Sequence, residues 1–258
     1  MIDEKNKSIH FLAANFSSGS GYNDLIGDGK YWNVALAYLR KAYTGFLIDF
    51  IDIRESSLLN DMEKYRPCVR INIEASENIY DSWFSRLSKS SRQNLRTAYN
   101  RMNTDGCVFE FMTDSRVDYS EKMKLWKLYI KRTDQINNRA EKDNSLKQSL
   151  KNHINCYFNI IFHMLNREKN MEATRLYING KLAAFMLAYR TAEGIVIPKL
   201  SIDTDFSRYS PGCVMIAEYI KRLPGNQDFI LDLSRGDEQY KLVLGGEKYY
   251  NFGYREQL

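Results

Sequence analysis

An Asn179-Gly180 dipeptide between two apolar runs is the feature that most constrains how this chain folds. The runs cover residues 172–178 and 182–189 and are rich in strand-forming side chains, and Asn-Gly readily adopts the positive φ angles of a two-residue hairpin turn. A third apolar run follows at 194–202. We therefore predict a tight hairpin and then a third strand.

Turn-forming residues predict where the other helices and strands of the C-terminal half begin and end. Ser210 as N-cap and Pro211 at the first helical position predict a helix over 211–223, which Pro224-Gly225 ends. The remaining predicted elements are a buried strand at 229–234, a short helix at 237–244 and a last strand at 248–253. The order is strand, strand, strand, helix, strand, helix, strand.

Apolar spacing predicts further elements upstream. In the middle of the chain they are a helix at 81–103, a strand at 108–112, and helices at 118–132 and 146–167. In the N-terminal part they are strands at 9–14, 46–53 and 68–73, helices at 32–42 and 56–64, and a Gly/Ser/Asp-rich loop at 17–30. The alternation of strands and helices predicts the α/β fold class. The N-terminal pattern echoes residues 194–253, which leaves an internal duplication open.

The charge balance and the apolar runs limit the classes of partner. A net charge of +5 and a pI near 8.8 are mild for a nucleic-acid binder, and an anionic small ligand explains them equally well. No apolar run approaches the roughly 18 to 20 residues that span a bilayer, and the first residues do not resemble a signal peptide. We expect a cytoplasmic protein.

The cysteines and histidines argue against a metal site. The four cysteines have no CxxC spacing, so we expect reduced thiols. His153, Cys156 and His163 can share a helical face, but three ligands without a fourth disfavour zinc. The full serine-hydrolase, P-loop and dinucleotide-binding signatures are also absent.

Several stretches carry a resemblance to a known family. They are LSKSSRQNLR at 87–96, NGKLAA at 179–184, YSPG at 209–212 and LDLSRGDEQYK at 231–241. Together with the element order, they resemble the BioF2-like, cellulose-biosynthesis-associated branch of the GNAT acetyltransferases, which is akin in structure to the FemABX aminoacyl transferases. The resemblance implies a GNAT-like acyltransferase domain over 79–258, with a mixed central sheet flanked by helices, and a partial second GNAT-like half at 1–78 that packs on it. Completion of that half by a second subunit, as in a homodimer, stays open.

The resemblance also implies an acetyl-CoA site and no metal. The loop around Arg208, Ser210, Gly212 and Cys213 would hold the pyrophosphate with backbone N–H groups at a helix N-terminus, although the same residues also suffice merely to start a helix. A helix N-terminus lowers the pKa of a thiol such as Cys213, but packing as a small apolar residue is the alternative. Pro198 predicts an edge or a bulge in the strand at 194–202. In GNAT proteins that strand splays from its neighbour, so a backbone N–H at Lys199, Leu200 or Ser201 would polarise the thioester carbonyl.

Four residues are candidates for the chemistry, each with a structural role as the alternative. Asp232 would act as base or orient the amine, and Tyr240 would protonate the leaving thiolate. Lys241 would bind an anionic group, and Asp237 flanks the same strand end, where open α/β sheets place ligands.

The acceptor side rests on two further groups of residues. Tyr22 and Asp24 lie in the Gly/Ser-rich loop, and they either line the acceptor cleft or belong to a surface loop without a role in the reaction. Arg92 and Arg96 share a helical face with Arg86 and Lys89. That face is either solvated, or a site for an anionic acceptor such as a nucleotide-linked sugar, or a site for an RNA acceptor stem bound through its phosphates.

Three functions follow from these features. The leading one is acyl-CoA-dependent N-acyl transfer to an amine of a sugar or small metabolite, in surface polysaccharide biosynthesis as the resemblance implies. A FemABX-type transferase using aminoacyl-tRNA and a non-catalytic GNAT-like module are the alternatives.

Overall fold

The computed structural model describes residues 2–10, 31–54, 62–139, 150, 153–154 and 170–258. Its strands are β1 (Ile2–Asp3), β2 (Ser8–Ile9), β3 (Leu47–Ile53), β4 (Glu63–Ile73), β5 (Phe109–Asp114), β6 (Met171–Ile178), β7 (Lys181–Arg190), β8 (Gly194–Ile202), β9 (Phe229–Arg235) and β10 (Glu247–Gln257). Its helices are α1 (Trp32–Ala42), α2 (Ile79–Arg86), α3 (Lys89–Thr104), α4 (Tyr119–Arg139), α5 (Pro211–Ile220) and α6 (Gln239–Val243), with a 3₁₀ helix at Thr204–Tyr209. The predicted α/β class is confirmed. No helix among the described residues is long and apolar enough to cross a bilayer.

The chain forms two compact units. The first comprises Met1–Arg70, Ser234–Glu238 and Glu247–Leu258. In it, β10 pairs antiparallel with both β3 and β4, so the last strand of the chain lies between two early ones. Its core includes Leu36 of α1 and Ile48 of β3. The division at residues 78 and 79 expected from the sequence stays a prediction.

The second unit comprises Ile71–Leu233 and Gln239–Gly246. Its strands lie in the order β9, β8, β7, β6, β5, with antiparallel pairing from β5 to β8 and parallel pairing between β8 and β9. Asn179 has φ 51° and Gly180 has φ 71°, which are the positive angles that the hairpin prediction required. The predicted hairpin and the strand at 194–202 are confirmed.

Helices cover both faces of this sheet. Phe185 and Leu187 of β7 pack with Leu125 and Leu128 of α4. Side chains alternate along a strand, and a Cβ built at Gly212 of α5 would lie 3.2 Å from a methyl of Ile202 on the other face of β8. The second unit therefore has a helix, sheet, helix layering.

The single helix predicted over 81–103 is wrong. The structure has α2 and α3 instead, separated at Leu87 and Ser88. Ser88 has extended backbone (ψ 155°), and its hydroxyl accepts a hydrogen bond from the Ser91 amide at 3.1 Å. That N-cap starts a new helix, because it supplies an acceptor for an N–H group that has none within the helix.

Ser210 occupies the predicted N-cap position before Pro211, but it does not cap the helix through its side chain. Its backbone is left-handed (φ 48°, ψ 53°), and its side chain makes no capping hydrogen bond. The polar stretch before it forms the 3₁₀ helix, which Asp203 caps by accepting from the Asp205 amide at 3.1 Å. The helix that follows ends at Ile220, three residues before the predicted end.

The other differences concern the ends of elements. Residues 63 and 64, predicted as the end of a helix, belong to β4, and β10 continues to Gln257, beyond the predicted end at 253. Most of the helix predicted at 146–167, the loop at 17–30 and residues 56–61 lie outside the described residues.

Candidate active site

The sheet of the second unit opens between β8 and β9. Their parallel register runs from Gly194 with Ile230 to Val196 with Asp232 and goes no further. Pro198 follows two residues later and has no N–H for a ladder hydrogen bond. The register between β7 and β8 also shifts here, between Leu187 and Tyr189. The irregularity predicted from Pro198 is confirmed. Beyond Val196, the register of β8 continues with β7 but not with β9.

The loop that enters α5 lies beside this opening. Pro211 has no N–H, and the N–H groups of Gly212 and Cys213 belong to a first helical turn that offers them no acceptor. A Cβ at Gly212 would meet Ile202 at 3.2 Å and Leu200 at 3.7 Å. Glycine at this position therefore lets α5 begin close against the part of β8 that has left β9.

A cavity of about 360 Å³ lies beside the start of α5, and we call it the active-site cavity. Its wall includes Ser210 before α5, Cys213 in the first turn of α5, Tyr240 of α6, and a row of α3 residues, namely Ser91, Asn94, Ala98 and Arg101. The structure therefore brings three residues predicted from sequence, Ser210, Cys213 and Tyr240, to one cavity.

Contacts with α3 hold the loop in place. The Arg101 guanidinium donates to the carbonyl oxygen of Arg208 at 3.0 Å, and the Tyr209 hydroxyl donates to Asp105 at 2.6 Å. The Arg208 guanidinium forms an ion pair with the same Asp105 at 3.1 Å, and its side chain is 58% exposed. Arg208 thus lies at the surface beside a carboxylate and is not among the residues that line the cavity.

Cys213 contributes a neutral thiol to the cavity wall. Burial raises the pKa of this thiol to about 11. Desolvation therefore outweighs the helix dipole, which acts in the opposite direction. At neutral pH, Cys213 lines the cavity as a small, uncharged side chain.

The candidate catalytic residues have distinct environments. Asp232 is 3% exposed and forms the last register pair before β8 and β9 separate. Tyr240 lines the cavity, and its neighbour Lys241 is 3% exposed. Asp237 belongs to the first unit, where it forms an ion pair with Lys248 at 2.7 Å.

The residues at the end of β8 point to both faces of the sheet. Ser201 pairs with Phe185 and Lys199 with Leu187, so both side chains lie on the face that α4 covers. The Lys199 ammonium lies 5.5 Å from the ring centre of Tyr129 in α4. Leu200 lies on the opposite face, beside Gly212.

The basic residues are engaged within the fold. Arg92 donates to the carbonyl oxygens of Ser85 and Leu87, at 2.7 and 2.6 Å, where α2 ends. The Arg96 guanidinium lies 5.2 Å from the centre of the Phe84 ring. Neither arginine lines the active-site cavity. Tyr22 and Asp24 lie outside the described residues.

The α3 residues on the cavity wall were not predicted. Ser91, Asn94, Ala98 and Arg101 recur every three or four positions, so they form one stripe of the helix. The spacing alone does not mark them as functional, because any stripe of a helix recurs at three or four positions and the packing of α3 decides which stripe meets the cavity. Among the residues that the structure describes, no cluster of three or more His, Cys, Asp or Glu side chains is arranged to hold a metal ion.

Comparisons with known proteins agree with this geometry. The model of a family described as "Acetyltransferase (GNAT) domain" matches residues 89–242. No curated protein matches the sequence. A conserved protein of unknown function from Bacteroides thetaiotaomicron VPI-5482 is 15% identical, with a TM-score of 0.57 over 90% of this chain and 76% of that one. The structure of FemX is 11% identical, with a TM-score of 0.54 over 88% of this chain and 77% of that one. At these identities, the two structures show the fold alone.

Proposed function

Because this chain belongs to the GNAT acetyltransferase family, whose fold the sequence predicted, we propose that it transfers the acetyl group of acetyl-CoA to the amine of a small molecule. One observation carries the proposal: the start of α5 lies against the part of β8 that continues beyond its register with β9, and the active-site cavity lies beside the start of α5. An elongated donor requires both a strand edge and a site for a pyrophosphate, and this arrangement would supply both.

The residues present fit the donor. The N–H groups of Gly212 and Cys213 and the positive end of the α5 dipole suit a pyrophosphate. The stretch Lys199–Ile202 of β8 lies beyond its register pairs with β9, so its backbone would run beside the arm that carries the thioester. A preorganised N–H group on this stretch would polarise the thioester carbonyl.

The transfer forms a C–N bond and breaks the C–S bond of the thioester. The attacking amine must be neutral and must lose a proton, while the departing thiolate gains one. Asp232, buried where the strands separate, would orient the amine and accept its proton. Tyr240, on the cavity wall, would donate its hydroxyl proton to the thiolate, and Lys241 beside it would bind an anionic group of either substrate.

The class of acceptor follows from the family resemblance, which suggests an amine of a sugar or small metabolite in surface polysaccharide biosynthesis. A tRNA-dependent reaction gains no support from the basic residues. Arg92 caps the end of α2, and Arg86 forms an ion pair with Glu74 at 2.6 Å. We therefore favour the acetyl-CoA reaction.

Release of free CoA thiol tests the proposal. The full chain is incubated with acetyl-CoA and a panel of amino sugars and alkylamines, and calorimetry gives the acetyl-CoA affinity. Asp232→Asn and Tyr240→Phe should each lower thiol release about 100-fold and leave that affinity within about twofold. Tyr38→Phe, at an exposed tyrosine of α1, is the matched control. Unchanged thiol release in both variants would remove these two residues from the mechanism, and no acetyl-CoA binding by the wild type would overturn the function.

A further inference from the structure

A second and larger cavity lies in the second unit, away from the active site. It measures about 500 Å³, and we call it the basal cavity. Its wall includes Phe111 of β5, Glu172 of β6, Arg190 of β7, Tyr219 of α5, Arg222 in the turn after α5, and Phe229 of β9. It shares no lining residue with the active-site cavity, which lies at the other end of that ten-residue helix, about 15 Å away.

A buried carboxylate with one exposed cation forms part of the wall. Glu172 is 1% exposed and accepts hydrogen bonds from the Tyr219 hydroxyl at 2.5 Å and from Nε of Arg190 at 2.7 Å. The Arg190 side chain is 62% exposed. Only Nε of Arg190 donates to Glu172. Among the residues that the structure describes, the two terminal amino groups of Arg190 meet no acceptor, so they are available to bind one.

Arg222 repeats this arrangement. Its Nη1 donates to the carboxylate and to the backbone carbonyl of Glu218, both at 2.7 Å. Glu218 is 5% exposed, whereas the Arg222 side chain is 50% exposed. In both pairs the carboxylate is buried and the guanidinium faces outward, so the accessible side of each pair is positive.

Aromatic and other apolar residues make up much of the remaining wall, together with the polar residues Thr113, Thr191 and Gln227. The Arg222 guanidinium lies over the Phe111 ring, 4.2 Å from its centre. The rings of Tyr219 and Phe229 lie 6.4 Å apart. A mostly apolar cavity with a few convergent polar groups is typical of small-molecule sites, and this volume lies within their usual range.

We propose that the basal cavity binds a small organic anion with a flat apolar body. Arg190 and Arg222 would hold its carboxylate or phosphate, because guanidinium groups match the planar fork of such anions. The aromatic side chains would contact the body of the ligand. The site is separate from the acyl-transfer chemistry, so its ligand is neither acyl donor nor acceptor.

Benzoate is a suitable probe, and benzamide is its uncharged counterpart. Ligand-observed NMR on the full chain gives both affinities. We expect benzoate to bind and Arg222→Gln to weaken it about tenfold, because that variant removes hydrogen bonds to a charged group. Arg190→Lys keeps a positive charge beside Glu172 but loses donors, so it should weaken benzoate by a similar factor. Arg255→Gln, at an exposed arginine paired with Asp49, should leave the affinity unchanged.

Three results would overturn the proposal. Equal binding of benzamide and benzoate would show that the anionic group is not recognised. Unchanged benzoate affinity in both arginine variants would place the ligand elsewhere. Displacement of benzoate by acetyl-CoA would place it in the active-site cavity. Acetyl-CoA affinity is measured in the same samples, so failure of this proposal is distinguishable from failure of the proposed function.

Discussion

Gly212 offers a sharp test of how α5 and β8 together form the donor site. A Cβ at this position would lie 3.2 Å from Cγ2 of Ile202 and 3.7 Å from Cδ2 of Leu200. Alanine must therefore push the end of Ile202 by a few tenths of an ångström, a strain that the better helix propensity of alanine partly offsets. Valine adds two methyl groups to this contact, and overpacking of this kind costs about 2 kcal/mol.

The same displacement should weaken donor binding. If α5 moves away from β8, the N–H groups of its first turn no longer meet the pyrophosphate at hydrogen-bond distance. Loss of one hydrogen bond to a charged group corresponds to an affinity decrease of about tenfold or more. We therefore expect Gly212→Val to reduce acetyl-CoA affinity by at least about tenfold, and Gly212→Ala to have a smaller effect.

Calorimetric titration with acetyl-CoA and urea unfolding of the same samples separate binding from stability. Ile178→Val is the matched control, since it lies in a buried strand that does not line the cavity and costs about 1 kcal/mol. Unchanged acetyl-CoA affinity in Gly212→Val would refute the reasoning, because the pyrophosphate would then lie elsewhere.

Two further predictions concern stability. Burial alone would raise the pKa of the Glu218 carboxyl, but hydrogen bonds from Arg222, Lys221 and Tyr99 hold it below the ordinary value of 4.5. The ionised carboxylate therefore stabilises the fold above pH 4.5, and this stabilisation is lost as the pH falls through the lower pKa of the folded state. Glu218→Gln should reduce the free energy of unfolding by about 2 kcal/mol at pH 7 and by progressively less below about pH 4.5. A pH-independent cost in urea unfolding would contradict this. The indole N–H of Trp83 donates to the carbonyl oxygen of Leu244 at 3.0 Å, and Trp83→Phe removes this donor. The variant should lose about 2 kcal/mol of unfolding free energy in the same assay, and an unchanged urea midpoint would refute this prediction.

The parts of the fold that were predicted correctly rest on local signals. The hairpin follows from Asn179-Gly180, and α1 has the predicted bounds because its apolar positions recur at helical spacing. The break between α2 and α3 was missed because that spacing continues through Leu87 and Ser88, and only the capping hydroxyl marks it. The left-handed backbone of Ser210 was missed for a different reason. The adjoining loop is held by contacts with Arg101 and Asp105, which lie about one hundred positions earlier in the sequence.

In the candidate site, too, local features were predicted from the sequence and features that depend on tertiary packing were not. Pro198 and the loop before α5 predicted an irregular strand beside a helix start, and both occur. The cavity wall formed by α3 could not be predicted, because it depends on how α3 packs against the loop. The basal cavity had no sequence signal either, since its two arginines come from different places, β7 and the turn after α5.

Amide hydrogen exchange with and without acetyl-CoA tests the central claim most directly, because it reports which backbone N–H groups the donor covers. Saturating acetyl-CoA should slow exchange in the peptides covering residues 199–202 and in the amides of Gly212 and Cys213. Exchange in β6, which does not line the cavity, should remain unchanged. Protection confined to other segments, or no protection at saturation, would contradict the assignment of the donor site to the opening between β8 and β9.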